Sequence, residues 1–184
     1  WMVWRCSSLP IPAYNESANI DELWKRLTSM FATLENEYDF EVVVCENGSR
    51  DNTFEKLSDI KLQDNRLKIV QLSRNFHMEG GMLAALSEVS GDACVIMSAD
   101  LQDPPELLDT FYAKFLEGYD VVYAVREKRK EVFYKRFAYF IFYRILKKIA
   151  NIEIPLDSGD FSFISRRVVD VLNKMPEESR FIRG

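Results

Sequence analysis

The sequence predicts an α/β protein built on a mainly parallel sheet with helices on both faces. Strand-like apolar runs alternate with helix-period segments from the N terminus to about Val125. The run Ala93-Cys94-Val95-Ile96-Met97 is apolar throughout, as a strand buried on both faces requires. Each run then ends in a polar loop that opens a helix, and in such sheets ligands bind outside the carboxyl ends of the strands.

In chain order, Val3 to Ile11 reads as a first strand, although Pro10 stands where a central strand would want a backbone donor. Pro12 to Glu16 leaves it as a turn, and Ser17 or Asn19 is expected to cap a helix running to about Leu34 along Ile20, Leu23, Leu27 and Met30. Phe40 to Cys45 forms the second strand and ends in Glu46-Asn47-Gly48-Ser49-Arg50-Asp51. A helix follows through Leu57, with Ser49 or Asp51 as its cap. Glu46 is either a ligand acceptor or a solvated loop acid. Leu67 to Leu72 is the third strand. It leads through Ser73-Arg74-Asn75-Phe76-His77 to a helix reaching about Val89, whose Gly80 and Gly81 allow close approach to a phosphate or to a neighbouring strand.

The fourth strand, Ala93 to Met97, delivers Ser98-Ala99-Asp100-Leu101-Gln102-Asp103 into a loop, and Pro104-Pro105 opens a helix to Leu116. Oxygen side chains in a tight loop suit a hard divalent cation shared with substrate phosphates. The plainer alternative is a polar turn whose Asp103 caps the helix. Tyr119 to Val125 is a fifth strand. Residues 126 to 150 then interleave nine lysines and arginines with aromatic and aliphatic side chains, a composition that fits an interfacial helix on anionic lipid. The alternative is a core helix with snorkelling lysines. After a turn at Pro155 to Asp160, Phe161 to Ser165 reads as a strand and Arg167 to Lys174 as a short helix.

Composition narrows the function. A formal charge of -5 over 184 residues argues against a general nucleic-acid binder. Cys6, Cys45 and Cys94 have no metal-ligand spacing, and the last two read as core residues of a reducing compartment. His77, the one histidine, cannot build a multi-histidine zinc site. No Gly-X-Gly-X-X-Gly follows the first strand, which disfavours a dinucleotide-binding dehydrogenase. As it stands, the sequence is expected to carry neither a signal peptide nor a membrane-spanning apolar run.

The strand-end motifs Ile11-Pro12-Ala13-Tyr14-Asn15-Glu16, Glu46-Asn47-Gly48-Ser49-Arg50-Asp51, Ser73-Arg74-Asn75-Phe76, Ala99-Asp100-Leu101-Gln102-Asp103-Pro104-Pro105-Glu106, Gly118-Tyr119-Asp120-Val121-Val122 and Ser158-Gly159-Asp160-Phe161 fall in a familiar order. On them the chain resembles family 2 glycosyltransferases of the GT-A (Rossmann-like) fold. Within that family it resembles the polyprenyl-phosphate subgroup of dolichol-phosphate mannose synthase and the GtrB-like enzymes. The resemblance implies one GT-A catalytic domain over residues 1–184, with the interfacial helix at about 130–150 and a C-terminal transmembrane region expected to be absent from this chain. It implies inverting transfer from a nucleotide sugar, a UDP-sugar favoured over GDP-mannose, to undecaprenyl or dolichyl phosphate. Work of this kind is expected at the cytoplasmic face of a membrane, with an anionic membrane surface as partner, no nucleic acid, and homo-oligomerisation left open.

Carried over residue by residue, Pro12, Tyr14, Glu16, Glu46, Asn47, Arg74 and Asp100 would hold the donor. Asp100 and Gln102 would hold Mg2+ or Mn2+, and Asp100 and Asp160 would be catalytic. Arg126 and Arg136 are the choices for the acceptor phosphate, because guanidinium offers a bidentate fork. The sequence departs from the family where Ser98 replaces the first acid of the usual Asp-X-Asp. It departs again where the acidic pair after the second strand reads Glu46-Asn47, and where His77 stands at a common glycine. The competing readings are a family 2 transferase acting on a sugar hydroxyl and a non-catalytic membrane-bound scaffold with a degenerate site.

Overall fold

The computed structural model describes residues 6–34, 38–125 and 158–176. Six strands form one sheet in the order β3-β2-β1-β4-β6-β5. They are β1 (Cys6–Ala13), β2 (Asp39–Glu46), β3 (Leu67–Gln71), β4 (Ala93–Ile96), β5 (Val121–Val125) and β6 (Ser158–Ser165). β1 pairs in parallel with β2 and β4, and β2 with β3. β6 enters antiparallel between β4 and β5. The helices are α1 (Ile20–Leu34), α2 (Thr53–Gln63), α3 (His77–Ser87), α4 (Leu108–Leu116) and α5 (Arg166–Lys174). The expected α/β class, a mainly parallel sheet with helices on both faces, is what the chain adopts.

Strand alternation divides the core into two layers. Val42, Val44, Val95, Met97 and Phe163 face one side, where Leu27, Phe31, Leu57, Leu108, Phe111 and Phe115 of the helices cover them. Val43, Cys45, Cys94, Ile96 and Ile164 face the other, beneath Met82, Ala85 and Leu86 of α3 and Val169 of α5. Each such side chain contributes roughly 1.5–3 kcal/mol on burial. Burial pushes the thiols of Cys45 and Cys94 up to about 12, so both behave as small apolar residues, as expected.

Several boundaries moved. The helix expected to end at Leu57 runs on to Gln63, because Ser58 to Gln63 contains no breaker. The helix expected to start at Pro105 begins as a 3-10 turn, Pro105–Leu107, before α4. α3 starts at His77, ahead of the two glycines, and stops at Ser87, short of Val89. The expected interfacial helix at 130–150 lies outside the described residues, and no described helix is long and apolar enough to cross a membrane.

Pro10 lies in a central strand after all. Ala13 O accepts from Asn47 N on the β2 side, while Cys6 O accepts from Asp92 N on the β4 side. Alternation therefore turns Pro10 and Pro12 toward β4, where neither can donate. Pairing between β1 and β4 covers only Ser7↔Ala93 and Ser8↔Cys94, whereas β1 and β2 pair from Cys6↔Asp39 to Ala13↔Glu46. The hydrogen-bonded ladder between the two strands therefore stops where the prolines begin. This is also where strand order reverses, with β2 on one side of β1 and β4 on the other.

Candidate functional site

The loops after β1, β2, β3 and β4 all leave the sheet at the carboxyl ends of its parallel strands. The loop after β1 turns at Asn15, which adopts φ 55°. Its backbone is bound by side chains from the loop after β2. Asn15 N donates to Ser49 Oγ (3.0 Å), Glu16 N to Thr53 Oγ1 (2.9 Å) and Ser17 N to Asp51 Oδ2 (3.1 Å). Arg50 N returns a bond to Asn15 Oδ1 (2.9 Å). Asp51 Oδ1 accepts from Thr53 N (3.1 Å) and from the buried Thr53 hydroxyl. Burial pushes the Asp51 carboxyl up, but the bonds from Thr53 and Ser17 outweigh it and hold the group at about 2.

Capping differs in detail from expectation. Asp51 serves the start of α2, whereas Ser49 serves the neighbouring loop. At α1, the Asn19 side chain turns back and donates to Glu16 Oε2 (2.6 Å), while Glu16 O accepts from Asn19 N and Ile20 N.

The candidate donor residues divide by exposure. Tyr14 and Arg74 are exposed, Pro12 and Glu16 are half-buried, and Glu46 and Asn47 are 2% exposed. Glu46 is thus not a solvated loop acid; Ser49 N donates to its Oε1. Asn47 Oδ1 accepts from Phe76 N (2.9 Å) and Nδ2 donates to His77 O (2.8 Å), joining the loop after β2 to the loop after β3. The Arg74 guanidinium lies 4.8 Å from the centre of the Phe76 ring.

The acidic loop after β4 is closed on itself. Ser98 N donates to Asp103 Oδ2 (3.0 Å), and Gln102 N donates to Asp100 Oδ1 (3.1 Å). Ser98 Oγ stands 2.9 Å from Asp100 Oδ1 and 3.0 Å from Asp103 Oδ2, with one proton to give to either. Leu101 takes φ 62° to let the turn close. Asp103 is buried and closes the loop onto Ser98. Asp100 and Gln102 remain exposed. Beyond the loop, Arg26 of α1 grips Glu106 through two parallel bonds (Nε to Oε1 3.1 Å, Nη2 to Oε2 2.8 Å), which depresses the Glu106 carboxyl.

Asp100 and Gln102 offer oxygen ligands, but among the described residues no group of three or more His, Cys, Asp or Glu side chains could hold a metal. The donor set fits a hard cation that takes its remaining ligands from a diphosphate and water, and does not fit a closed protein cage.

β6 pairs with Ile96 opposite Ser162. Continuing that register sets Asp160 level with Ser98, and continuing the β1–β4 register sets Pro12 level with Ser98 as well. Asp160, Asp100 and Pro12 therefore come from three strands to one end of the sheet. Arg126 and Arg136 lie outside the described residues. Sequence reasoning missed the bracing roles of Asn15, Thr53 and Arg26. The Asn-Glu-Ser and Asp-Asn-Thr clusters were visible, but their pairing across more than thirty residues was not.

Residues 8–172 match the family described as Glycosyl transferase family 2. The chain is 39% identical over 178 residues to the Uncharacterized glycosyltransferase sll0501 of Synechocystis sp., covering 96% of this chain and 55% of that protein. It spans about half the length of the curated relatives it matches. Among solved structures, the mannosyltransferase PcManGT of Pyrobaculum calidifontis in complex with GDP-Man and Mn2+ superposes with a TM-score of 0.63 at 19% identity, over 95% of this chain and 48% of that one. The S. aureus TarS fragment in complex with UDP-GlcNAc gives a TM-score of 0.52 at 25% identity, over 70% of this chain and 37% of that one.

Proposed function

The chain belongs to glycosyl transferase family 2, and on that premise we propose that it moves a sugar from a nucleotide-sugar donor to the phosphate of a polyprenyl phosphate, inverting the anomeric carbon. The observation that carries this reading is the position of the strand-end loops at the carboxyl ends of the parallel strands, where strand order reverses between β1 and β4, with Asp100 exposed in the loop after β4. In this reading Pro12, Tyr14, Glu16 and Glu46 frame the nucleoside, Arg74 and Asp100 meet the diphosphate, and Asn47 serves the donor site by holding the loop that carries Arg74. PcManGT with GDP-Man and TarS with UDP-GlcNAc show that proteins of this fold take either nucleotide. A UDP-sugar is the donor favoured here.

Mg2+ or Mn2+ held by Asp100 and Gln102 would neutralise charge on the departing nucleoside diphosphate. An acceptor phosphate oxygen forms the new bond to the anomeric carbon as the bond to the diphosphate breaks, and the diphosphate leaves with the electron pair. Because that oxygen is already ionised near neutral pH, Asp160 is assigned to orient the acceptor more than to abstract a proton. Arg126 and Arg136 are assigned to the acceptor phosphate. The basic, aromatic composition of residues 126–150 favours an acceptor presented at an anionic membrane surface on the cytoplasmic side.

The test is incubation with a panel of UDP- and GDP-sugars, with undecaprenyl phosphate in anionic vesicles or a soluble sugar acceptor, read by mass spectrometry. A metal-dependent glycosyl phosphodiester of the lipid is expected. Transfer to the sugar hydroxyl alone would overturn the acceptor assignment, and no cleavage of any donor would overturn the enzymatic reading.

A further inference from the structure

We propose that Asn47 is a positioning residue, whose carboxamide fixes the Ser73–His77 loop and through it the place of Arg74 at the donor diphosphate. The inference rests on the donor assignment above. Asn47 is buried at the end of β2 and makes two bonds of opposite polarity into one loop, accepting from Phe76 N at 2.9 Å and donating to His77 O at 2.8 Å. A carboxamide supplies both polarities, whereas an ionised carboxylate only accepts. The amide orientation follows, since a backbone N–H can only donate and a carbonyl can only accept.

The loop so held would not keep this shape unaided. His77 sits at φ 63°, a conformation that non-glycine residues rarely adopt, and its N–H is tied to Asn75 Oδ1 at 2.7 Å. Two glycines allow the close approaches around this loop. A Cβ on Gly81 would lie 3.0 Å from Asn47 Nδ2 and 3.1 Å from Pro12 Cβ. A Cβ on Gly48 would lie 2.7 Å from both the carbonyl carbon and Cα of Arg74. The Gly81 approach, open between a phosphate and a neighbouring strand in the sequence, is made to a strand end. From Asn47 the constraint passes to the Phe76 backbone, then to the ring over which Arg74 lies. The departure from an acidic pair at Glu46-Asn47 is thereby explained: an ionised aspartate would face the His77 carbonyl without a proton.

Asn47→Asp and Asn47→Ala test the assignment, with UDP and GDP titrated calorimetrically in the presence of Mn2+. At about pH 8 both variants should bind at least about tenfold more weakly than the wild type. Toward about pH 5.5 the aspartate variant should recover affinity as its carboxyl gains a proton, while the alanine variant should not. Glu46, Arg74, His77 and Glu79 on the turn, loop and helix that meet here also titrate or carry charge. They are common to all three proteins, so the difference from wild type isolates position 47.

In Arg74→Ala, adding Asn47→Asp should cost little more, because the effect runs through Arg74. Hydrogen exchange at the Phe76 amide should quicken in Asn47→Ala without nucleotide, and thermal melts report whether each variant is folded. Wild-type affinity in Asn47→Asp across the pH range would overturn the inference, as would additive losses in the double variant. If the wild type bound neither nucleotide, the donor reading would fall and this one with it. Normal wild-type binding with unmoved variants sinks only the role of Asn47.

Discussion

The loops on the two sides of the β1–β4 boundary are held by different means. On the β1–β2 side, Asn15, Glu16 and Ser17 bond to Ser49, Thr53 and Asp51, partners 34 to 37 residues away. On the β4 side, Ser98, Asp100, Gln102 and Asp103 bond to one another across two to five residues, and the long-range tie is the Arg26–Glu106 fork beyond the loop. The first side is set by the tertiary fold before any ligand arrives, which lowers the entropy lost on binding. The second is a short self-closed turn, free to exchange its internal bonds for those of an arriving ion. In the proposed function, recognition of the nucleoside falls to the first side and charge stabilisation to the second.

The largest effect that would sharpen this contrast is expected on the second side. Asp100→Ala should lower kcat by about a thousandfold or more while changing stability by no more than about 1 kcal/mol. Steady-state kinetics beside a urea melt will show whether function and fold separate there. On the first side the two should fall together. Thr53→Val keeps the shape of a fully buried side chain but strips its bonds to Glu16 N and Asp51. It should cost about 1–3 kcal/mol and weaken nucleotide binding; an unchanged denaturation midpoint would dissolve the contrast.

A smaller effect is expected from Ser98→Asp, which sets a third carboxylate beside Asp100 and Asp103. The metal-free protein should lose about 1 kcal/mol, and Mn2+ should raise its melting temperature more than that of the wild type. Equal metal response in calorimetric scans would mean that the side chain faces away from the ion. The smallest effect is the acid response of the brace. The Asp51 carboxyl is held at about 2, below its ordinary value of 3.8. Its contribution is therefore complete above about pH 4 and is lost as pH falls through about 2. Asp51→Asn should flatten that part of the stability–pH profile, measured by chemical denaturation.

Much of this arrangement was legible beforehand because it is written in short range. Apolar runs such as Phe40 to Cys45 and Ala93 to Met97 fixed the strands, and polar residues directly after them marked the site. What the sequence withheld was long-range pairing. Nothing local to Ser158–Ser165 says that it enters antiparallel between β4 and β5. Nothing in Asp51 says that its second oxygen serves Ser17. Pro10 argued against a central strand because the rule concerns the side on which a donor is needed, and sequence does not show which side that is. Glu46 and Asn47 were legible as polar strand-end residues, yet their burial was not, and that of Asn47 follows from α3 packing down through Gly81.

Those two prolines carry a consequence for how such a strand end can change its ligand. The gap in the backbone ladder between β1 and β4 is made by nitrogens at Pro10 and Pro12 that have no hydrogen to give. It is set by the main chain and not by the bulk of a side chain. Residues on the surrounding loops can be exchanged for others of different size and charge without restoring the missing bonds. The frame and the lettering are inscribed in different parts of the polymer, one in the main chain and one in the side chains, and each is free to vary while the other stays put.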